Sequence, residues 1–392
     1  MRFAAVVFLS ALRLCAQPTA WAPYDSAFNH FYNLEYDQAI AELEKGIAKD
    51  PNSPSLRNYL AQCIQFREMF KVGALESELV SGNNSFLRRP KIDTTPEVEK
   101  RFQDEVRMAL ELTEARLKTN PNDPQALYAQ GVAYALRGNW NFLVRKAWRD
   151  ALHDATTARK VHNRVTELDP NNYDARLVQG AHDYIVGSLP GFYKMLGFLV
   201  GFHGDRDKGI RTLQQVAEKG HNNSIDAKVF LCAIYRREEK WRAAAPILED
   251  LIARFPRNYL LRFEQSQMYS AIGEKDKAIA TMQKVVELKK SGAPGFADLP
   301  AERIYYHIGN IQFWYRDYAQ AVDNLQKATA GSAALDLNTG TLAWMRLGQV
   351  YDLTNRRNLA VEAYRKAIAF APEAEAAKES RRYLSSPYRR EG

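Results

Sequence analysis

The sequence predicts an all-α chain built as a solenoid of helix pairs, and three observations carry that expectation. Over residues 344–372, Trp344, Leu347, Gly348 and Tyr351 fall on one side of a first helix, and Ala360, Tyr364 and Ala367 on one side of a second. Tyr235 and Tyr269, and likewise Ala244 and Ala278, stand 34 residues apart, a period at which helix pairs stack. No apolar alternation of period two persists over any useful length, so strands are not expected.

The spacing in 344–372, closed by Pro372, resembles the tetratricopeptide repeat at each of its diagnostic positions. Gly348 and Ala360 are small where the two helices are expected to cross, and the large residues fill the space beside the crossing. One such pair cannot bury its apolar face alone, so copies are expected along the chain. The resemblance implies a right-handed α–α superhelix.

Taken in order, residues 1–22 read as a signal peptide. Arg2 supplies a positive start, residues 4–12 an apolar run too short to span a membrane, and Ala20-Trp21-Ala22 a small-residue cleavage pattern. The expected location is exported, periplasmic or associated with the cell envelope. Residues 23–220 read as a divergent helical array with insertions at 71–95, 140–157 and 185–208. Within it, Tyr36, Ala39, Leu43, Gly46 and Pro51 keep the offsets of a second helix, and Thr95 is placed to cap a long helix that opens at Pro96. Leu127, Gly131 and Tyr134 mark another first helix, and Trp140, Phe142 and Trp148 are expected as apolar anchors of an extended one. Residues 221–290 and 301–372 each hold two regular repeats, joined by a Gly/Pro-containing link. Residues 373–392 form a capping helix and tail, expected to fray from Arg381 onward.

Composition excludes several function classes. The formal net charge of +8, or +6 without Arg2 and Arg13, is spread over 392 residues, and no basic run exceeds two residues. That is no nucleic-acid footprint. The seven histidines show no metal-ligand pairing, and no phosphate loop, dinucleotide motif or nucleophile elbow occurs, so neither a metal, a cofactor nor catalysis is expected. Cys63 and Cys232 sit inside helical patterns and read as small buried residues.

Residues 185–202 carry Lys194 as their sole charge. They read first as an apolar insertion folded between repeats, and second as a flap touching a membrane. Pro190, Gly191 and Lys194 argue against a spanning helix. The following Gly201-Phe202-His203-Gly204-Asp205-Arg206 reads as a tight turn opening a helix, with the glycines free for positive φ, Asp205 as cap and Arg206 poised for a carboxylate. From about 180 to 218, the order Ser188-Leu189-Pro190, an apolar helix and this turn resembles the eukaryotic tetratricopeptide family that includes the inclusion-body clearance protein and tetratricopeptide repeat protein 39. That resemblance implies a non-enzymatic, adaptor-like or membrane-proximal role.

In the tetratricopeptide superhelix the first helix of each pair lines a concave groove. Carried onto this chain, that geometry gives Val229, Ala233, Arg236 and Arg237, then Phe263 and Gln267, then Arg303, Tyr306, Asn310 and Trp314, then Met345 and Gln349. Arg, amide and aromatic side chains are the types that concentrate binding energy. The expectation is a non-catalytic scaffold that takes a protein or peptide partner in this groove. The alternative is a membrane-proximal or lipid-handling protein using residues 185–202.

Overall fold

The computed structural model describes residues 24–75, 91–189 and 204–390. The signal-peptide reading, most of the 71–95 insertion and most of the 185–202 segment lie outside them. Among the described residues there are seventeen α-helices and no strands. They are α1 (Asp25–Tyr32), α2 (Tyr36–Lys49), α3 (Pro54–Lys71), α4 (Pro96–Thr119), α5 (Pro124–Trp140), α6 (Trp148–Leu168), α7 (Arg176–Gly187), α8 (Arg206–Lys219) and α9 (Ser224–Arg237). After these come α10 (Trp241–Arg254), α11 (Tyr259–Ala271), α12 (Lys275–Lys290), α13 (Ala301–Trp314), α14 (Tyr318–Ala330), α15 (Leu337–Leu353), α16 (Arg357–Phe370) and α17 (Glu375–Ser385). Each helix packs on the next, as in a solenoid.

Local chemistry sets the boundaries. Leu56 N–H, Val98 N–H and Lys208 N–H donate to the side chains of Ser53, Thr95 and Asp205. Asp123, Asn258 and Asp336 each accept from two backbone amides at the starts of α5, α11 and α15. Pro54, Pro96 and Pro124 occupy first-turn positions, where the missing N–H costs nothing. Five hairpins then share one turn geometry. Leu34, Glu239, Gly273, Arg316 and Asn355 all have positive φ, between 56° and 86°. In each, the next residue's N–H returns to a carbonyl five residues back, as Lys240 N–H does to Tyr235 O at 2.7 Å. Only one of the five turns uses glycine, so four side chains accept the left-handed conformation.

The small residues act as expected at helix crossings. A Cβ on Gly348 would lie 2.5 Å from the Tyr364 ring, and one on Gly180 would lie 2.9 Å from Leu213. Gly204 differs from expectation: its φ is not positive, and glycine is required because a Cβ would lie 2.6 Å from Gly187 N and Val186 Cβ. Asp205 does cap α8, and Arg206 does find a carboxylate, Glu238, at 2.8 Å.

Four further expectations change. The partner of α3 is α4, delayed by the insertion that separates them. The extended helix at 140–157 is instead α5 running into a π-helical turn, Asn141–Arg145, which ends at left-handed Lys146 before α6 begins. Trp140 is fully buried and stacks on Phe102 at 4.0 Å, whereas Trp148 is not a core anchor: it is 47% exposed, edge-on to Phe142. The C-terminal residues do not fray from Arg381. Helix α17 continues to Ser385, and 386–390 return as a strap across α13. Cys63 and Cys232 are buried free thiols, and burial raises both pKa values.

The array also closes on itself. The α1–α2 hairpin meets the loop between α10 and α11, more than 220 residues away. Arg257 donates to both carboxylate oxygens of Glu35 at 2.7 and 2.9 Å and to Asn29 at 2.8 Å, while its backbone N–H donates to Asn33. Asn258 donates to Tyr32 O, and the Tyr32 ring lies 5.0 Å from Phe255.

Candidate functional site

The first helices of the regular pairs, α9, α11, α13 and α15, lie side by side and form one wall. Their sequence-predicted contact residues divide into two sets. Phe263, Arg303, Tyr306, Met345 and Gln349 are buried within the chain. Arg236, Gln267 and Asn310 are half-buried, and Arg237 and Trp314 are exposed. Of the two further groove positions, Val229 is exposed and Ala233 half-buried.

Buried and half-buried groups form a polar network across the wall. Arg236 of α9 pairs with Glu264 of α11 at 2.6 Å, with both side chains largely shielded. Arg303 of α13 donates to the Tyr259 hydroxyl at 3.3 Å and lies 3.8 Å from the carboxylate of Asp336, the residue that caps α15. Burial lowers the Arg303 pKa, and Asp336 opposes that shift. His307 packs on Phe263 at 4.1 Å. Burial and the adjacent Arg303 and Arg236 push its pKa down to about 3, so the imidazole is neutral at ordinary pH. These groups tie four helices into one surface, and they are spent on that task.

The N-terminal part of the chain covers much of the wall. Leu34 and Phe70 pack against the cluster that contains Tyr259 and Phe263. The end of α3 reaches α15, where a Cβ on Gly73 would lie 2.4 Å from the Asp336 carboxylate. Sequence reasoning could not foresee this, because the covering residues are neither periodic with the wall nor near it in sequence. Another group it passed over is Asp226 of α9, half-buried and hydrogen-bonded to Tyr32. Burial raises the Asp226 pKa to about 7, Asp174 adds to the rise and the Tyr32 hydroxyl opposes it.

Besides Val229 and Arg237 of α9, the open part of the wall lies at its C-terminal end. Trp314 is 46% exposed. The Arg346 and Arg390 guanidinium groups sit over its ring at 5.0 and 5.2 Å. A cavity of about 680 Å³ adjoins it, lined by Arg316, by Arg382 and Tyr383 of α17, and by Tyr388, Arg389 and Arg390 of the strap. The strap is fixed from both ends. Arg390 donates to the carbonyls of Phe313 and Trp314 at 3.3 and 2.8 Å, and Tyr388 N–H donates to Asp352 at 2.8 Å. Asp352 is buried and also accepts from Arg357 and from the Tyr364 hydroxyl. A charge-assisted hub of this kind holds irregular backbone in a defined shape.

Comparison with known proteins agrees with the repeat reading. Residues 188–334 match the family model Iml2/Tetratricopeptide repeat protein 39, and residues 342–373 match a tetratricopeptide repeat model. The first match extends well beyond the segment whose motifs suggested that family, and runs through α14. No curated protein matches the chain significantly. Among solved structures, the chain is similar to one in the Cut9–Hcn1 hetero-tetramer of the APC/C, with 13% identity and a TM-score of 0.50. That alignment covers 91% of this chain and 54% of the other, so this chain spans about half that protein's length. Yeast Tom70 aligns at 14% identity over 92% of this chain and 89% of its own, with a TM-score of 0.40. At such identities the first of these likenesses shows the fold alone.

Proposed function

We propose that this tetratricopeptide-repeat protein, whose central residues match the Iml2/Tetratricopeptide repeat protein 39 model, is a non-catalytic scaffold that holds a protein partner at the C-terminal end of its concave wall. The observation that carries this reading is Trp314. It is a large aromatic left half exposed at the end of a row whose other aromatics, Phe263 and Tyr306, are sealed inside the chain. Exposed Trp flanked by Arg is the composition of an interaction hot spot. Half-buried Asn310, one helical turn before it, supplies an amide for a partner's backbone.

The test is pull-down from extract of the native host, comparing wild type with a Trp314→Ala/Asn310→Ala double variant. Trp314 is exposed and Asn310 half-buried, so neither truncation opens the core and the variant is expected to fold. Loss of specific partners from the variant is the expected result. Equal recovery of every partner, with unchanged circular dichroism, would sink the reading. Cell-envelope placement rests on the N-terminal sequence pattern and is checked by fractionation. The membrane-proximal alternative rests on the apolar 185–202 stretch and its place in the family match. Liposome flotation that is lost on Leu196→Asp/Phe198→Asp would favour it over the scaffold reading.

A further inference from the structure

We infer that the cleft between α13, α17 and the C-terminal strap is a receptor for an acidic peptide segment of the partner, held by Arg316, Arg382, Arg389 and Arg390 beside Trp314. The inference deepens the scaffold reading and rests on it.

The first argument is charge. Several cations on the helix surfaces are matched by carboxylates one turn away: Lys100 with Asp104, Arg107 with Glu111, Arg254 with Asp250, Lys327 with Asp323. The cleft gathers its cations without such a match. Four guanidinium groups from three parts of the fold line or border one concavity, no carboxylate among the described residues lines it, and none of the four is ion-paired among those residues. Like charges gathered without counter-charge repel, and a ligand bringing negative charge relieves that repulsion.

The second argument is order. Arg390 is fixed by two backbone carbonyls, and Tyr388 by the buried Asp352, so the strap presents Arg389 from a fixed backbone. Part of the ordering cost of binding is therefore met before a ligand arrives. Arginine, with its planar fork of donors, suits bidentate contact with carboxylates.

The third argument selects the class of partner. A single-stranded nucleic acid needs open aromatic faces on which bases stack. Here Trp314 is half exposed but already carries two guanidinium groups, and the tyrosines are packed on one another. Arg346 and Arg390 lie over Trp314, Tyr383 packs on Tyr364 at 5.3 Å, and Tyr388 meets Tyr383 edge-on at 84°. A membrane surface is met by projecting cations, whereas these surround a cavity. About 680 Å³ accepts a short stretch of extended chain.

The experiment uses the full-length protein and fluorescence anisotropy with a labelled Glu-rich peptide, its Gln-for-Glu counterpart and a single-stranded oligo-dT. The expected result is saturable, salt-sensitive binding of the Glu peptide alone. It should weaken about tenfold or more in Arg382→Gln/Arg389→Gln, the loss of about one strong charge-assisted contact. Both residues are exposed, and an unchanged melting temperature confirms the fold. Equal binding of the Gln peptide, or indifference to the double variant, overturns the inference. So does tighter binding of oligo-dT with the same arginine dependence. Should the Glu peptide fail while native partners are still lost on Trp314→Ala/Asn310→Ala, the acidic receptor falls and the scaffold stands.

Discussion

Asp226 shows what one side chain contributes at this interior. Its carboxyl faces the Tyr32 hydroxyl, with Asp174, Tyr59 and Tyr128 nearby, and burial moves its pKa from the ordinary carboxylate value of 3.8 to about 7. The folded chain therefore keeps a proton that the unfolded chain releases. Stability from this source is fully present below pH 4 and is lost as the pH rises through about 7. The melting temperature of the wild type, referred to that of Asp226→Asn at each pH, should fall steadily from acid to neutral conditions. A difference independent of pH would show that folding leaves the Asp226 pKa unchanged. This residue was not legible in the sequence, because the tyrosine that desolvates it comes from α1, far earlier in the chain. Cys63 and Cys232 were legible, because burial of a small residue at a repeat position needs only its own helix and the next.

Helix pairs were legible wherever their instructions are local. Thr95, Pro96, Asp205 and the small residues at crossings state their roles within a few positions, and the structure uses them so. The pair α15–α16 is the clearest case. Substituting Gly348→Val would drive side-chain atoms into the Tyr364 ring, whose hydroxyl is held by Asp352 and cannot easily withdraw. Overpacking of that kind costs about 1–3 kcal/mol. The expected outcome is a matching drop in stability by urea denaturation, with the cleft loosened because Asp352 also holds the strap. Tyr364→Leu in the same background should recover part of the loss, and no recovery would place the strain elsewhere. Elements whose instructions come from afar were misread. The π-turn after Trp140 follows from the stacking of that ring on Phe102, and the strap follows from a buried aspartate 36 residues before Tyr388. Neither partner can be inferred from spacing.

At the level of the whole molecule, the contact between α1–α2 and the α10–α11 loop separates this chain from an open solenoid. In an open array each repeat touches its neighbours alone, and unfolding can proceed from either end. Here the Arg257–Glu35 pair and its companions join the first hairpin to the middle of the chain. Arg257→Ala removes a bidentate, partly shielded ion pair and one amide contact, a loss of about 1–3 kcal/mol. Hydrogen exchange should then quicken in α1 and α2 before any change in α13–α16. Uniform quickening across the chain would show that the contact stabilises nothing in particular.

The same contact fixes how many repeats this protein can have. Open arrays lengthen and shorten by duplication and deletion of single units, since any number stacks equally well. Between α3 and α10 that freedom is absent. One extra pair would carry Phe255, Arg257 and Asn258 away from Tyr32, Asn33 and Glu35, and one fewer would drive them past each other. Gly295 tightens the constraint, because the 291–300 link lies so close to the Arg257 carbonyl that a Cβ there would stand 2.3 Å from it. Recombination in the descendants of this chain should therefore trade whole pairs only beyond α12.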